Sequence, residues 1–199
     1  MRVILFDFDG VIVDTFSMCY RIIHARVPLT RDEYRAKFDG NINDASKPVS
    51  QTIHRHDFMD EYLSALLPYR PDRDMVQAIL ELARDHALII ISSTVTPAID
   101  EYLKRYGLRD AFKEILGNDV EPSKIKKIQD VLKRYKIKPS ETVFITDTLG
   151  DIREAQACGV PSLAVTWGYQ AAETLQQGSP SRLIGHPKEI VAAIKSMGV

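Results

Sequence analysis

The sequence predicts an α/β protein: a doubly wound parallel sheet with a helical insert after its first strand. Three observations carry that reading. From about residue 72 onward, helical patterns alternate with short apolar, β-branched runs, as in a parallel sheet covered by helices. Those runs are apolar without alternation, the mark of strands buried on both faces. Residues 15–70, by contrast, hold helical stretches and polar loop sequence with no buried-strand signal.

Taken in order, "VILF" is the first strand, and it runs straight into "DFDG". "FSMCYRIIHARV" reads as a helix, "FDGNINDASKPVS" as loop, and "VSQTIHRHDFMDEYLSALL" as helix again. "DMVQAILELARDH" places Met75, Val76, Ile79, Leu80 and Ala83 at helical spacing, so these are its expected inward residues. "ALIIIS" (87–92) is a buried-type strand. "PAIDEYLKRYG" follows as a helix opened by Pro97 and closed by Gly107. "EILG" is a short strand, "PSKIKKIQDVLKRYK" an amphipathic helix and "TVFIT" (142–146) a further strand. A helix after "DTLGD", the strand "SLAVT" (162–166) and a helix from Pro187 to about Met197 complete the chain, with no repeat or low-complexity segment.

The bulk numbers narrow the function classes. The 199 residues suffice for one domain with a small appendage, and a net charge of −1 gives no general attraction to nucleic acid or membrane. Cys19 and Cys158 lie far apart without CxxC spacing, which points to two buried thiols in a reducing compartment. No run approaches the ~20 apolar residues of a membrane-spanning helix, and Asp7 interrupts the first apolar stretch too early for a signal peptide. The expectation is a cytoplasmic protein without nucleic-acid or membrane partners; its oligomeric state is not legible.

The chemistry is expected at the carboxyl ends of the strands, where doubly wound sheets bind their ligands. The first strand ends in Asp7 and Asp9, the second in Ser92, Ser93 and Thr94, and "TVFIT" in Asp147, with Asp151 four residues on at a helix start. Burying ionised carboxylates costs several kcal/mol unless something pairs with them. Acids and hydroxyls delivered to one edge by three strands describe an oxygen-rich pocket for a hard cation such as Mg²⁺.

On these motifs the sequence resembles the haloacid dehalogenase-like (HAD) hydrolase superfamily, and most of all its phosphoglycolate-phosphatase-like branch. "DFDGVIVDT" matches the first motif, Ser92 in "IIISST" the second, a lysine near 124 the third and "DTLGD" the fourth; "TWGYQAAETLQQG" resembles the stretch that follows. The resemblance implies a Rossmann-like core formed by 1–14 and 71–199, with 15–70 as a small helical cap that closes over the pocket. It implies a Mg²⁺-dependent phosphatase acting on a small phosphorylated metabolite. Asp7 would be the nucleophile that becomes phosphorylated, and Asp9 the general acid and then base. Asp7, the backbone carbonyl of Asp9 and Asp147 would hold the ion, with Asp151 acting behind them through coordinated water. Ser92 and Ser93, with Lys124, would hold the phosphoryl oxygens. Two features depart from the family pattern. Thr146 precedes Asp147 where a glycine is usual, and "EPSKIKK" offers Lys124, Lys126 and Lys127 for one role, with Lys124 preferred as nearest the strand ends.

A sugar-phosphate mutase of the β-phosphoglucomutase kind shares the same nucleophile and acid. A phospho-acceptor receiver domain would place its aspartate at the end of a later strand, where this chain has "SSTVT". A non-catalytic binding module is the remaining alternative. His54 and His56 of "HRHD" point in different directions on a helix and read as surface. Trp167 and Tyr169 read as packing or loop anchors, and nothing in the spacing brings Lys47 or Arg55 to the pocket.

Overall fold

Six parallel strands form one sheet: β1 (Arg2–Phe6), β2 (His86–Ile91), β3 (Phe112–Leu116), β4 (Thr142–Thr146), β5 (Ser162–Val165) and β6 (Arg182–Ile184). Their spatial order is β3-β2-β1-β4-β5-β6, so the chain winds outward from β1 in one direction and then crosses to wind in the other. This is the doubly wound α/β fold the sequence predicts. The computed structural model describes residues 2–40 and 55–198, with the side chains of 55–58 and 60 outside that description.

Alternation along each central strand builds two cores. Ile4 and Phe6 of β1, Leu88 and Ile90 of β2, and Val143 and Ile145 of β4 face one side; there they meet α4 (Arg73–Leu82), α5 (Thr96–Arg105) and α9 (Ile190–Ser196). Val3, Leu5, Ala87, Ile89, Ile91 and Phe144 face the other, against α6 (Lys124–Tyr135) and α7 (Leu149–Ala157). Every one of these strand side chains is fully buried, and polar residues such as Thr142 and Thr146 stand only at the strand ends. β1 lies between β2 and β4, with Phe6 opposite both Ile90 and Ile145. The residues just after it therefore emerge at the point where strand order reverses.

Segment 15–70 contains α1 (Phe16–His24), α2 (Arg31–Ala36), a 3₁₀ turn at Lys37–Asp39 and α3 (Arg55–Leu66), with no strand among its described residues. α2 was not foreseen, although Thr30 and Glu33 form a reciprocal capping box at its start, a recognisable signal. The expected loop reaches into this turn, and its remainder beyond Gly40, with Lys47 and His54, lies outside the described residues, as do the side chains of Arg55 and His56. α8 (Ala172–Gln176) and edge strand β6 were also not foreseen; both are short, and β6 follows "GSPS" with only three residues. The strand expected at "EILG" begins earlier, at Phe112.

In α4 the inward face differs from the expected one. Met75, Ala78, Ile79 and Leu82 are buried, whereas Leu80 is 48% exposed. Asp72 caps the helix by accepting from the N–H groups of Asp74 and Met75, and this fixes where the helix starts and which face turns inward. Among the described residues no helix is long and apolar enough to cross a membrane. Both cysteines are free thiols.

The phase of α4 is testable by urea unfolding: Leu82→Ala should cost about 2–5 kcal/mol, as large-to-small core changes do, and Leu80→Ala no more than about 0.5.

Candidate active site

The first segment of the site is set by a tight turn. Asp7 N–H continues the sheet by donating to Ile145 O. The chain then folds back, with Ile12 N–H donating to Phe8 O and Gly10 N–H to Val13 O. Phe8 turns into the core edge-to-face on Tyr102, 5.2 Å between ring centres, which leaves Asp7 and Asp9 facing a cavity. Gly10 has φ +76°, and a side chain there would strike the Asp147 carboxylate and the Tyr169 ring. The glycine is therefore required both by backbone shape and by space.

Asp7, Asp147 and Asp151 are all buried, and Lys124 is buried among them. Lys124 Nζ donates to Asp7 Oδ2 at 2.9 Å and to Asp151 Oδ2 at 2.7 Å. Ser123 caps α6 and points Lys124 inward from its first position. Of the two other lysines, Lys126 is exposed beside Glu121. Lys127 is buried and donates to Ser92 O at 2.6 Å and Gly117 O at 3.3 Å, tying the ends of β2 and β3. Helical spacing of three puts Lys124 and Lys127 on one face. "SKIKK" is thus largely an inward-facing feature.

Thr146, where the family pattern favours glycine, has a use here. Its hydroxyl donates to Asp151 Oδ2 at 2.8 Å and accepts from Thr148 N–H at 3.3 Å. Thr148 caps α7, so Asp151 lies inside the first helical turn and is turned toward Lys124. Asp147 stands apart. Its Oδ2 accepts from Tyr169 N–H at 2.6 Å, while its Oδ1 is buried with no partner among the described residues.

The electrostatics follow from this packing. Burial pushes Asp7 well above the usual carboxylate range, with Lys124 opposing and the neighbouring acids Asp151 and Asp147 adding to the rise. Burial also pushes Asp151 upward, but Lys124 and the hydrogen bonds it receives bring it below its ordinary value. Burial moves Asp147 up to about 8, with the Tyr169 N–H pulling the other way. Lys124 is held charged against its own desolvation by Asp151 and Asp7. Further out, burial lowers Lys127 to about 8 and raises Glu154 to about 7.

Asp9 is half-buried and collects three hydroxyl groups. Thr15 and Tyr62 both donate to Oδ1 at 2.7 Å, and Thr94 donates to Oδ2 at 2.7 Å. Since the one hydrogen of Thr15 goes to Asp9, the Tyr169 hydroxyl is the donor in its 3.0 Å contact with Thr15. Ser92 is buried and accepts from Thr94 N–H at 3.0 Å; Ser93 is half-buried beside it.

Of the residues assigned a role from the sequence, Asp7, Asp9, Ser92, Ser93, Lys124 and Asp151 line one cavity of about 140 Å³, whereas Asp147 and the alternative lysines Lys126 and Lys127 do not. Asp147 lies directly beneath, under Gly10 and Gly168. The far wall comes from Cys19, Tyr34, Phe38, Tyr62 and Tyr169. Sequence reasoning missed Thr15, Tyr62 and Glu154, and it took Tyr169 only as an anchor. Tyr169 is buried as an anchor should be, yet it also orients Asp147 and forms part of the wall. Trp167 anchors the same loop by donating to Val11 O at 3.1 Å.

Comparison with known proteins places this geometry in a family. The chain is 25% identical to a phosphoglycolate phosphatase of Synechococcus elongatus, across 99% of each chain. It superposes with a TM-score of 0.79 on a haloacid dehalogenase-like family hydrolase from Streptococcus pneumoniae, at 20% identity and 98% coverage of both. CbbY of Rhodobacter sphaeroides, solved with xylulose-(1,5)bisphosphate, gives 0.76 at 18% identity over 95% of this chain and 96% of its own. Residues 4–165 match the sequence model of the haloacid dehalogenase-like hydrolases, most of the chain including all four motif segments, and the protein belongs to that family.

Proposed function

We propose that the protein is a divalent-cation-dependent phosphatase that hydrolyses a small phosphate monoester through a phosphorylated Asp7. The observation that carries this reading is a buried charge imbalance. Asp7 and Asp151 share one ammonium, that of Lys124, and Asp147 touches no cation among the described residues, so Asp7 and Asp147 ionise together only where further positive charge is supplied. The orphaned Asp147 Oδ1 marks where positive charge is lacking.

Among the described residues no three His, Cys, Asp or Glu side chains form a ready metal cage. Mg²⁺ does not need one, because it is commonly held by one or two carboxylates together with substrate phosphate and water. Asp7 and Asp147, with the backbone carbonyl of Asp9, fit that requirement, and Asp151 steadies Lys124 behind them. A bound divalent ion would supply the charge against which Asp7 ionises and the phosphoryl oxygens are screened.

The rest is done by the chain's own groups. The Asp7 carboxylate attacks phosphorus while the bond to the leaving oxygen breaks, and Asp9 passes its proton to that oxygen. Water then attacks the phosphoryl group, gives a proton back to Asp9, and releases inorganic phosphate as the bond to Asp7 breaks. Lys124, Ser92 and Ser93 meet the phosphoryl oxygens and balance their charge. Segment 15–70 acts as a cap over the core formed by 1–14 and 71–199, and its aromatic side chains exclude water from the cavity. The phosphoglycolate phosphatase similarity and the bisphosphate-bound neighbour support a small phosphorylated metabolite as substrate.

A panel of small phosphate monoesters, assayed by phosphate release with Mg²⁺ and with EDTA, tests the activity. Turnover should require the ion, and Asp7→Asn should lower it at least about a thousand-fold. Phosphate release in EDTA, or from Asp7→Asn, contradicts the mechanism. Release without any added sugar bisphosphate separates hydrolysis from mutase chemistry.

The acids also predict a pH signature for the ion-free protein. Asp147 binds its proton up to about pH 8 when folded but only to about 3.8 when unfolded, and Asp7 and Glu154 shift the same way. Between about pH 4 and 8 the folded state therefore holds more protons, so stability is full at the low end and is lost as pH rises. In EDTA, Tm should fall by at least about 5 °C from pH 5 to pH 8. Mg²⁺ should raise Tm far more at pH 8 than at pH 5, because ion and protons compete for the same oxygens.

A further inference from the structure

The geometry points to Tyr62 as a positioning residue through which segment 15–70 completes the acid–base site, fixing Asp9 so that its Oδ2 faces the leaving group. The inference rests on the reading of Asp9 as general acid.

Each carboxylate oxygen offers about two lone-pair directions. Oδ1 of Asp9 has both filled, by Thr15 and by Tyr62, each at 2.7 Å. Among the described residues Oδ2 receives only Thr94, also at 2.7 Å, and so keeps one direction for a ligand in the cavity that Asp9 lines. The two donors on Oδ1 thus choose which oxygen works, and the Thr94 contact limits rotation about the Cβ–Cγ bond.

The three donors come from different places. Thr94 follows β2, and Thr15, the first residue of the insert, comes straight after the turn that ends β1, so both sit close to the sheet. Tyr62 comes from α3, 53 residues from Asp9, and is 1% exposed. α3 is seated by packing on α1, and Leu66, one helical turn on from Tyr62, is fully buried in the core. A phenylalanine would fill the same apolar space and take away the hydroxyl that donates to Asp9. Burial, with the nearby Asp9 charge, holds the phenol well above its ordinary range, so it stays a donor at all working pH values.

The consequence is that the leaving-group proton depends on a side chain carried by the insert. Protonation matters most for a poor leaving group and little for a good one, which gives a readout that loss of packing would not produce. Phenyl phosphate and p-nitrophenyl phosphate have similar shapes but leaving groups of different basicity. For Tyr62→Phe, kcat/KM on phenyl phosphate should fall about ten-fold and on p-nitrophenyl phosphate less than about two-fold. In an Asp9→Asn background the same change should add nothing, because Tyr62 acts through Asp9. Equal losses on the two substrates, or a full further loss in the Asp9→Asn background, would overturn the proposal. An Asp9→Asn variant with no leaving-group dependence of its own would overturn the underlying reading of Asp9 instead, and with it the role of Tyr62. Tm of Tyr62→Phe, measured alongside, shows that folded enzyme is being compared.

Discussion

Lys124, held between Asp7 and Asp151 at the edge of the sheet, is the contact on which the rest of the site depends. Removing an ammonium from water costs several kcal/mol, and so does removing each carboxylate. The cost is met here only in part, because the acids outnumber the cation. A sequence selected for stability alone would fill this space with apolar side chains, which often raise stability relative to a buried ion pair. The chain instead surrounds the imbalance with rigid parts. Apart from Arg2 and His86 at their starts, β1, β2 and β4 are buried on both faces, and they end together. Thr146, Thr148 and Ser123 then set the two helix starts that aim Asp151 and Lys124 at one another. Local rules of burial are broken at one edge, and broken coherently, which is the pattern of a functional site.

This also explains why so much of the core was legible in the sequence. Central parallel strands are continuous apolar runs, and "ALIII" and "TVFIT" cannot be read otherwise. Legibility fell where tertiary packing outweighs local pattern. β6 is a three-residue edge strand whose partner, β5, lies on one side only, so its sequence need not be apolar throughout. α2 has six residues and is held by its capping box and by contacts of Tyr34 with neighbouring rings; its apolar periodicity is too short to detect. In α4, residues at 79 and 80 looked equally inward by composition, and the cap at Asp72 decided between them.

For the site, the acids were legible because a carboxylate at the end of an apolar strand is an anomaly that calls for a cause. Thr94 was legible as a strand-end hydroxyl, but Thr15 and Tyr62 were not, and the common target of all three appears only once strands and insert are folded. The same holds for the lysines. Three candidates within four positions are equivalent by composition, and the inward face of α6 selects two of them for different tasks. Lys124 meets the carboxylates, while Lys127 clamps the carbonyl of Ser92 and so fixes the strand end beside the cavity.

Tyr169 shows how the two halves of the molecule are joined. Its N–H orients Asp147, its carbonyl accepts from Arg35 Nε at 3.1 Å, and its hydroxyl donates to Thr15. Its ring packs edge-to-face on Phe38, 4.8 Å between centres. The next residue, Gln170, accepts from Leu149 N–H at the start of α7 and donates to Asp39. α7 is itself in close contact with the insert, because Gly150 has no side chain to hold off the carbonyls of Phe38 and Gly40. A single loop therefore touches a buried acid, the helix that carries Asp151, and the segment that walls the cavity. Displacing that segment would pull on Arg35, Phe38 and Asp39, and through them on the backbone donor that holds the other oxygen of Asp147. The described part of the insert and the orientation of the Asp147 carboxylate are thus mechanically linked through one loop.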